Sequence, residues 1–107
     1  MQIAHDLSEV EARIADTTPL LLYLSGNTCT VCASLLPKVA QIAQRVAPSI
    51  QCLEVPMQHI PEAAGRFMAL SVPVILLYVQ GKEVMRMAGI IDTGALEHAM
   101  HRSLHGV

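Results

Sequence analysis

An α/β fold, a single sheet carrying helices on both faces, is what this sequence predicts. Apolar residues recur at three- and four-residue intervals in some stretches and form short unbroken runs in others, and the two kinds of stretch alternate along the chain. The length of 107 residues and a hydrophobic content of 52% fit one domain spanning residues 1–107 with a well-filled core. Aromatics are only 3%, so that core is aliphatic.

The elements follow in order. Asp6-Leu7-Ser8-Glu9 offers a capping-box start, and Leu7, Val10 and Ile14 share one face of a first helix. Leu20-Leu21-Leu22-Tyr23-Leu24, between Pro19 and the turn residues Ser25-Gly26-Asn27, reads as a central strand covered on both faces. From Cys29, the residues Cys32, Leu35, Leu36, Val39, Ile42, Ala43 and Val46 keep a helical period that ends near Pro48. Ile50–Pro56 reads as a second strand, and Pro61 opens a short helix expected to turn Ala64, Phe67 and Met68 inward. Val74–Val79 is a third strand, Gln80-Gly81-Lys82 a tight turn and Glu83–Ala88 the hairpin partner. Asp92 or Thr93 caps a last helix with Ala95, Leu96, Ala99, Met100 and Leu104 along one side.

Composition narrows the function. A net charge of -2 with seven scattered Lys and Arg residues offers no basic surface for phosphates, so nucleic-acid binding is not expected. The longest apolar runs, Leu20–Leu24 and Val72–Val79, fall far short of the roughly 20 residues that span a bilayer. The segment Met1–Asp6 lacks a basic start followed by an apolar stretch, so a cytoplasmic protein is the expectation, and a monomer is expected besides. Three cysteines are too few for a disulfide scaffold, and Cys29-Thr30-Val31-Cys32 has the spacing of redox or metal chemistry. The metal alternative is weak, because only Cys52 and His59 are available to complete a site and neither stands at a recognised spacing.

The cysteine pair at a strand-to-helix junction, Pro37 five residues beyond it, Val72-Pro73 before the hairpin, and Gly81 and Gly89 within the hairpin share one order. In that order and spacing the chain resembles the thioredoxin family from about Leu7 to Met100. Ser71-Val72-Pro73 is also similar to the Thr-Val-Pro of glutaredoxins, but the extra first helix and the lack of a Gly-Gly pair soon after Pro73 favour the thioredoxin side. The resemblance implies a mixed sheet with helices on both faces, a cis bond before Pro73, and Val72 and Pro73 as the residues that contact an extended substrate segment. It implies no cofactor and no metal, with protein disulfides as substrates and a thiol reductant or reductase as electron source. Departures are plain too: Thr28 replaces the usual tryptophan, Thr30-Val31 the usual Gly-Pro, Tyr23 a buried aspartate and Glu54 its lysine partner.

Exchange needs a thiolate, and an ordinary cysteine with a pKa of about 8.5 supplies little at neutral pH. Cys29 lies at or just before the first helical turn, where unpaired N–H groups and the helix dipole favour negative charge, so it is the expected nucleophile. Cys32, one turn further in, is the expected resolving thiol. Cys52 reads as a packed residue, Pro37 as a helix kink, and Glu54 as a solvated strand-end glutamate rather than a base for Cys32. His98, His101 and His105 read as a solvent-facing stripe and the six methionines as core filling. Two functions follow: a thiol–disulfide oxidoreductase, or a redox-inactive adaptor or chaperone-like module that holds partners beside Pro73.

Overall fold

The computed structural model describes residues 1–16 and 18–106; Thr17 and Val107, which the one-domain reading includes, lie outside the described residues. The chain runs β1 (Gln2–Ile3), α1 (Leu7–Ala15), β2 (Leu20–Ser25), α2 (Thr30–Val46), β3 (Gln51–Pro56), α3 (Glu62–Arg66), β4 (Val74–Val79), β5 (Lys82–Ala88) and α4 (Thr93–His105). The five strands form one sheet in the order β1-β3-β2-β4-β5. β1, β3 and β2 are parallel, β4 runs antiparallel to β2 and β5 antiparallel to β4, so the sheet is mixed. A parallel neighbour needs a crossover, which α2 supplies between β2 and β3.

The apolar run at the sheet centre is explained by its two faces. Leu20, Leu22 and Leu24 pack with Val10 and Ile14 of α1 and with Ala63 and Phe67 around α3. Leu21 and Tyr23 point the other way, to Val39, Ile42 and Ala43 of α2 and Leu96 and Met100 of α4. Polar pairs pin the helices to one another: Arg66 of α3 holds Glu11 of α1, and Arg45 of α2 holds Glu97 of α4. His105, exposed as expected along most of its surface, also donates from Nε2 to the Val46 carbonyl at 2.8 Å and so finishes the C-terminal end of α2.

Local chemistry sets the boundaries. The Asp6 carboxylate accepts the Glu9 N–H at 2.8 Å, while Glu9 reaches back to the N–H of His5 rather than of Asp6, one residue earlier than a capping box requires. In α3 the expectation fails in detail. Ala63 and Phe67 are the buried residues and Met68 is 78% exposed, because the helix is only five residues long and the chain leaves it through a left-handed Met68 (φ 51). Gln80 and Gly81 take φ 52 and 79, the paired positive values of a two-residue hairpin turn, and Lys82 already belongs to β5. A bulge follows, where the register passes from Tyr78↔Glu83 to Leu77↔Met85 and leaves Val84 as the extra residue. β5 therefore forms an edge that is bulged and charged at Lys82, Glu83 and Arg86.

Candidate active site

The sulfur pair stands beyond the carboxyl end of β2, where open α/β sheets leave room for function. Cys29 is the N-cap of α2, in extended backbone, and its Sγ accepts the N–H of Cys32 at 3.1 Å. The two cysteines are joined as a disulfide, with Cys29 half-buried and Cys32 only 3% exposed. No acidic residue lies in the first turn of α2, so nothing there opposes negative charge on sulfur.

Sheet register brings the second half of the site to the first. Leu24 pairs with Val74 across the antiparallel β2/β4 ladder, which carries Val72 and Pro73, just before β4, to Ser25 and Gly26, just after β2. The Val72-Pro73 peptide bond is cis. The Pro73 carbonyl accepts the Gly89 N–H at 3.3 Å and draws the segment after β5 to the same place. These three segments enclose a groove of about 510 Å³ lined by Thr28–Val31, Leu35, Val72, Pro73 and Gly89–Ile91. None of these side chains is charged. Ile90, fully exposed, and Ile91 escaped the sequence reading; an apolar pair directly after a turn glycine, outside any periodic stretch, is the signal that could have found them.

The family model described as Thioredoxin matches residues 2–102. The chain belongs to the thioredoxin family. The thioredoxin-like protein YdfQ of Bacillus subtilis is 32% identical over 98 residues, covering 92% of this chain and 87% of its own. Among solved structures, Fasciola hepatica thioredoxin superposes with a TM-score of 0.84 at 22% identity, covering 96% of this chain and 99% of its own. Oxidised mitochondrial thioredoxin 3 of Saccharomyces cerevisiae gives 0.82 at 18% identity, covering 94% and 92%. These likenesses bear out the thioredoxin fold expected from the order of motifs.

Behind Cys32 this thioredoxin-family chain carries Tyr23, with Glu54 next to it on the neighbouring strand. Tyr23 is fully buried, and its hydroxyl donates to the Cys32 carbonyl at 2.8 Å. Burial, and secondarily the nearby Glu54 carboxylate, push its pKa up to about 12. Glu54 sits opposite Tyr23 on the parallel β3, hence on the same face of the sheet. It is half-buried rather than a solvated strand end, and it accepts a hydrogen bond from the buried Ser25 hydroxyl at 2.7 Å.

Other candidates lie elsewhere. Cys52 is half-buried with its pKa raised chiefly by burial, which disfavours its thiolate form. It lines a larger open cavity of about 760 Å³ with Arg13, Gln41, Gln44 and Gln51, a space that contains neither Cys29 nor Cys32. Among the described residues no three His, Cys, Asp or Glu side chains are grouped to hold a metal ion, and no helix is long and apolar enough to cross a membrane.

Proposed function

We propose that this chain is a thiol–disulfide oxidoreductase that exchanges disulfides with partner proteins, with Cys29 as nucleophile and Cys32 as resolving thiol. The observation that supports this most is the Cys32 N–H directed at Cys29 Sγ from the first turn of α2, which stabilises a thiolate at the more exposed sulfur. In the reduced protein the Cys29 thiolate attacks a partner disulfide, a Cys29–partner disulfide forms, and the displaced partner sulfur leaves as a thiolate and takes a proton. Cys32, deprotonated, then attacks Cys29 Sγ, and the second partner sulfur is released. Two electrons pass to the partner, and the Cys29–Cys32 disulfide remains for a thiol reductant or reductase to reset.

Val72 and Pro73 would hold the extended segment that flanks the partner's disulfide, in the manner of an added strand. In this reading the activity belongs to a monomeric, cytoplasmic single domain of residues 1–107 without metal or cofactor.

The test is the Cys29–Cys32 reduction potential in defined dithiothreitol buffers, measured beside insulin-disulfide reduction and a Cys29→Ser control. A potential near about -270 mV with turnover makes it a reductant, and one near about -120 mV an oxidant. The adaptor reading is favoured by one observation, the phenol of Tyr23 standing where the family resemblance implies a buried carboxylate. No disulfide formation at any poise, with partner binding that survives Cys29→Ser, would establish the adaptor instead.

A further inference from the structure

We infer that Tyr23 is a positioning residue for the cysteine pair: by holding the Cys32 carbonyl it fixes the first turn of α2, so that the Cys32 N–H stays aimed at Cys29 Sγ. The inference rests on the exchange reading above.

The first turn of a helix is its least restrained part, because its N–H groups lack partners within the helix. Here the cap that would restrain it is Cys29 Sγ itself, the atom that must change partners during exchange. The one backbone bond that closes this turn, from the Ala33 N–H to the Cys29 carbonyl, is long at 3.4 Å, so a further anchor independent of the sulfur's state steadies it. Tyr23 supplies one from the central strand, where the ring is fully buried and the hydroxyl reaches the Cys32 carbonyl at 2.8 Å. The residue so held is the one whose N–H points at Cys29.

A phenol also differs from a carboxylate in this place. Uncharged, it holds the carbonyl without adding a second negative charge to that of the nearby Glu54 carboxylate, which would raise the thiol pKa further. Burial keeps it protonated, with a pKa of about 12, across the range in which thiols titrate. Tyr23 of β2 and the two cysteines share one side of the sheet with Cys52 of β3, and Glu54 stands opposite Tyr23 on β3 with its carboxylate accepting from Ser25. The groove in front contributes no charge.

The test compares the reduced full chain with its Tyr23→Phe variant, following iodoacetamide alkylation of Cys29 against pH by peptide mass spectrometry, with thermal melts of both. The wild type should show a midpoint below the ordinary 8.5 or so. In Tyr23→Phe the midpoint should rise by about half a pH unit, which slows alkylation at pH 7 about threefold. Superimposable profiles with only a lower melting temperature would reduce Tyr23 to a packing residue and overturn the inference alone. An ordinary midpoint in the wild type together with no turnover would overturn the exchange reading and this inference with it. Should Tyr23→Phe not fold, the reduced wild type decides by NMR. A slowly exchanging Tyr23 hydroxyl proton near the first turn of α2 supports the anchor, and a freely exchanging one removes it.

Discussion

Gly26 and Val72 approach so closely that one added carbon does not fit: a Cβ at Gly26 would stand 2.9 Å from Val72 Cγ2. The glycine is there because the end of β2 and the segment before β4 must touch for the groove to exist. Val72 is β-branched and has few rotamers in which to retreat.

Gly26→Ala should therefore displace Val72 and spare the core. We expect kcat/KM for a disulfide substrate to fall about tenfold, since misplacement by about 1 Å can cost on the order of 10²-fold and a side chain absorbs part of it. The melting temperature should change little. Unchanged kinetics would show that Val72 does not position the partner.

Cys32→Ser should accumulate a covalent Cys29–partner species, because the resolving sulfur is gone while the capping N–H of residue 32 remains. Cys29→Ser should trap nothing. Non-reducing electrophoresis with mass spectrometry distinguishes them, and trapping through Cys32 in the Cys29→Ser protein would reverse the assigned roles.

The uncharged groove makes partner encounter insensitive to salt. For a peptide disulfide with neutral flanks, kcat/KM should vary less than about twofold between ~0.05 and ~0.5 M NaCl, since screening acts only on charge. A steep decline would mean that charges outside the groove steer binding.

Alkaline stability should fall through Tyr23. Its folded pKa of about 12 lies above the value of 10.0 expected when unfolded, so between these limits the folded state holds more protons. The stabilisation is complete below pH 10 or so and is lost as pH rises toward 12. Tyr78 and Cys52, also raised by burial, act in the same direction. In the oxidised protein, Tyr23→Phe should flatten the dependence of the urea midpoint on pH between about 9 and 11; an identical slope would contradict the assignment.

His105→Ala should cost about 1 kcal/mol, or roughly 4–8 °C in a domain of this size, by freeing the Val46 carbonyl at the end of α2. Recovery of part of that loss in His105→Gln would tie the effect to the hydrogen bond.

Legibility in the sequence tracked the length over which a pattern could repeat. α2 and the central run Leu20–Leu24 were readable because a period or an unbroken apolar run extends over many residues. α3 was misread at Ala64 and Met68 because five residues hold barely one turn, and β1 was missed because two residues hold no period at all. The cysteine pair and Val72-Pro73 could be named from local motifs. The Tyr23–Cys32 and Ser25–Glu54 bonds could not, since each depends on which face of one strand meets a helix or a neighbouring strand. His105 was read correctly as exposed, but its bond to Val46 joins residues 59 apart in sequence.

The bulge at Val84 has a consequence for specificity. An unpaired strand edge is a template that any extended chain can extend. β5 discourages this with its extra residue and with Lys82, Glu83 and Arg86, while β1 at the opposite margin is only two residues long. For a protein proposed to work by accepting a foreign strand beside Pro73, blunted margins leave that groove as the place where a visitor's backbone is welcome. Selectivity then depends as much on where the sheet refuses company as on what the groove attracts.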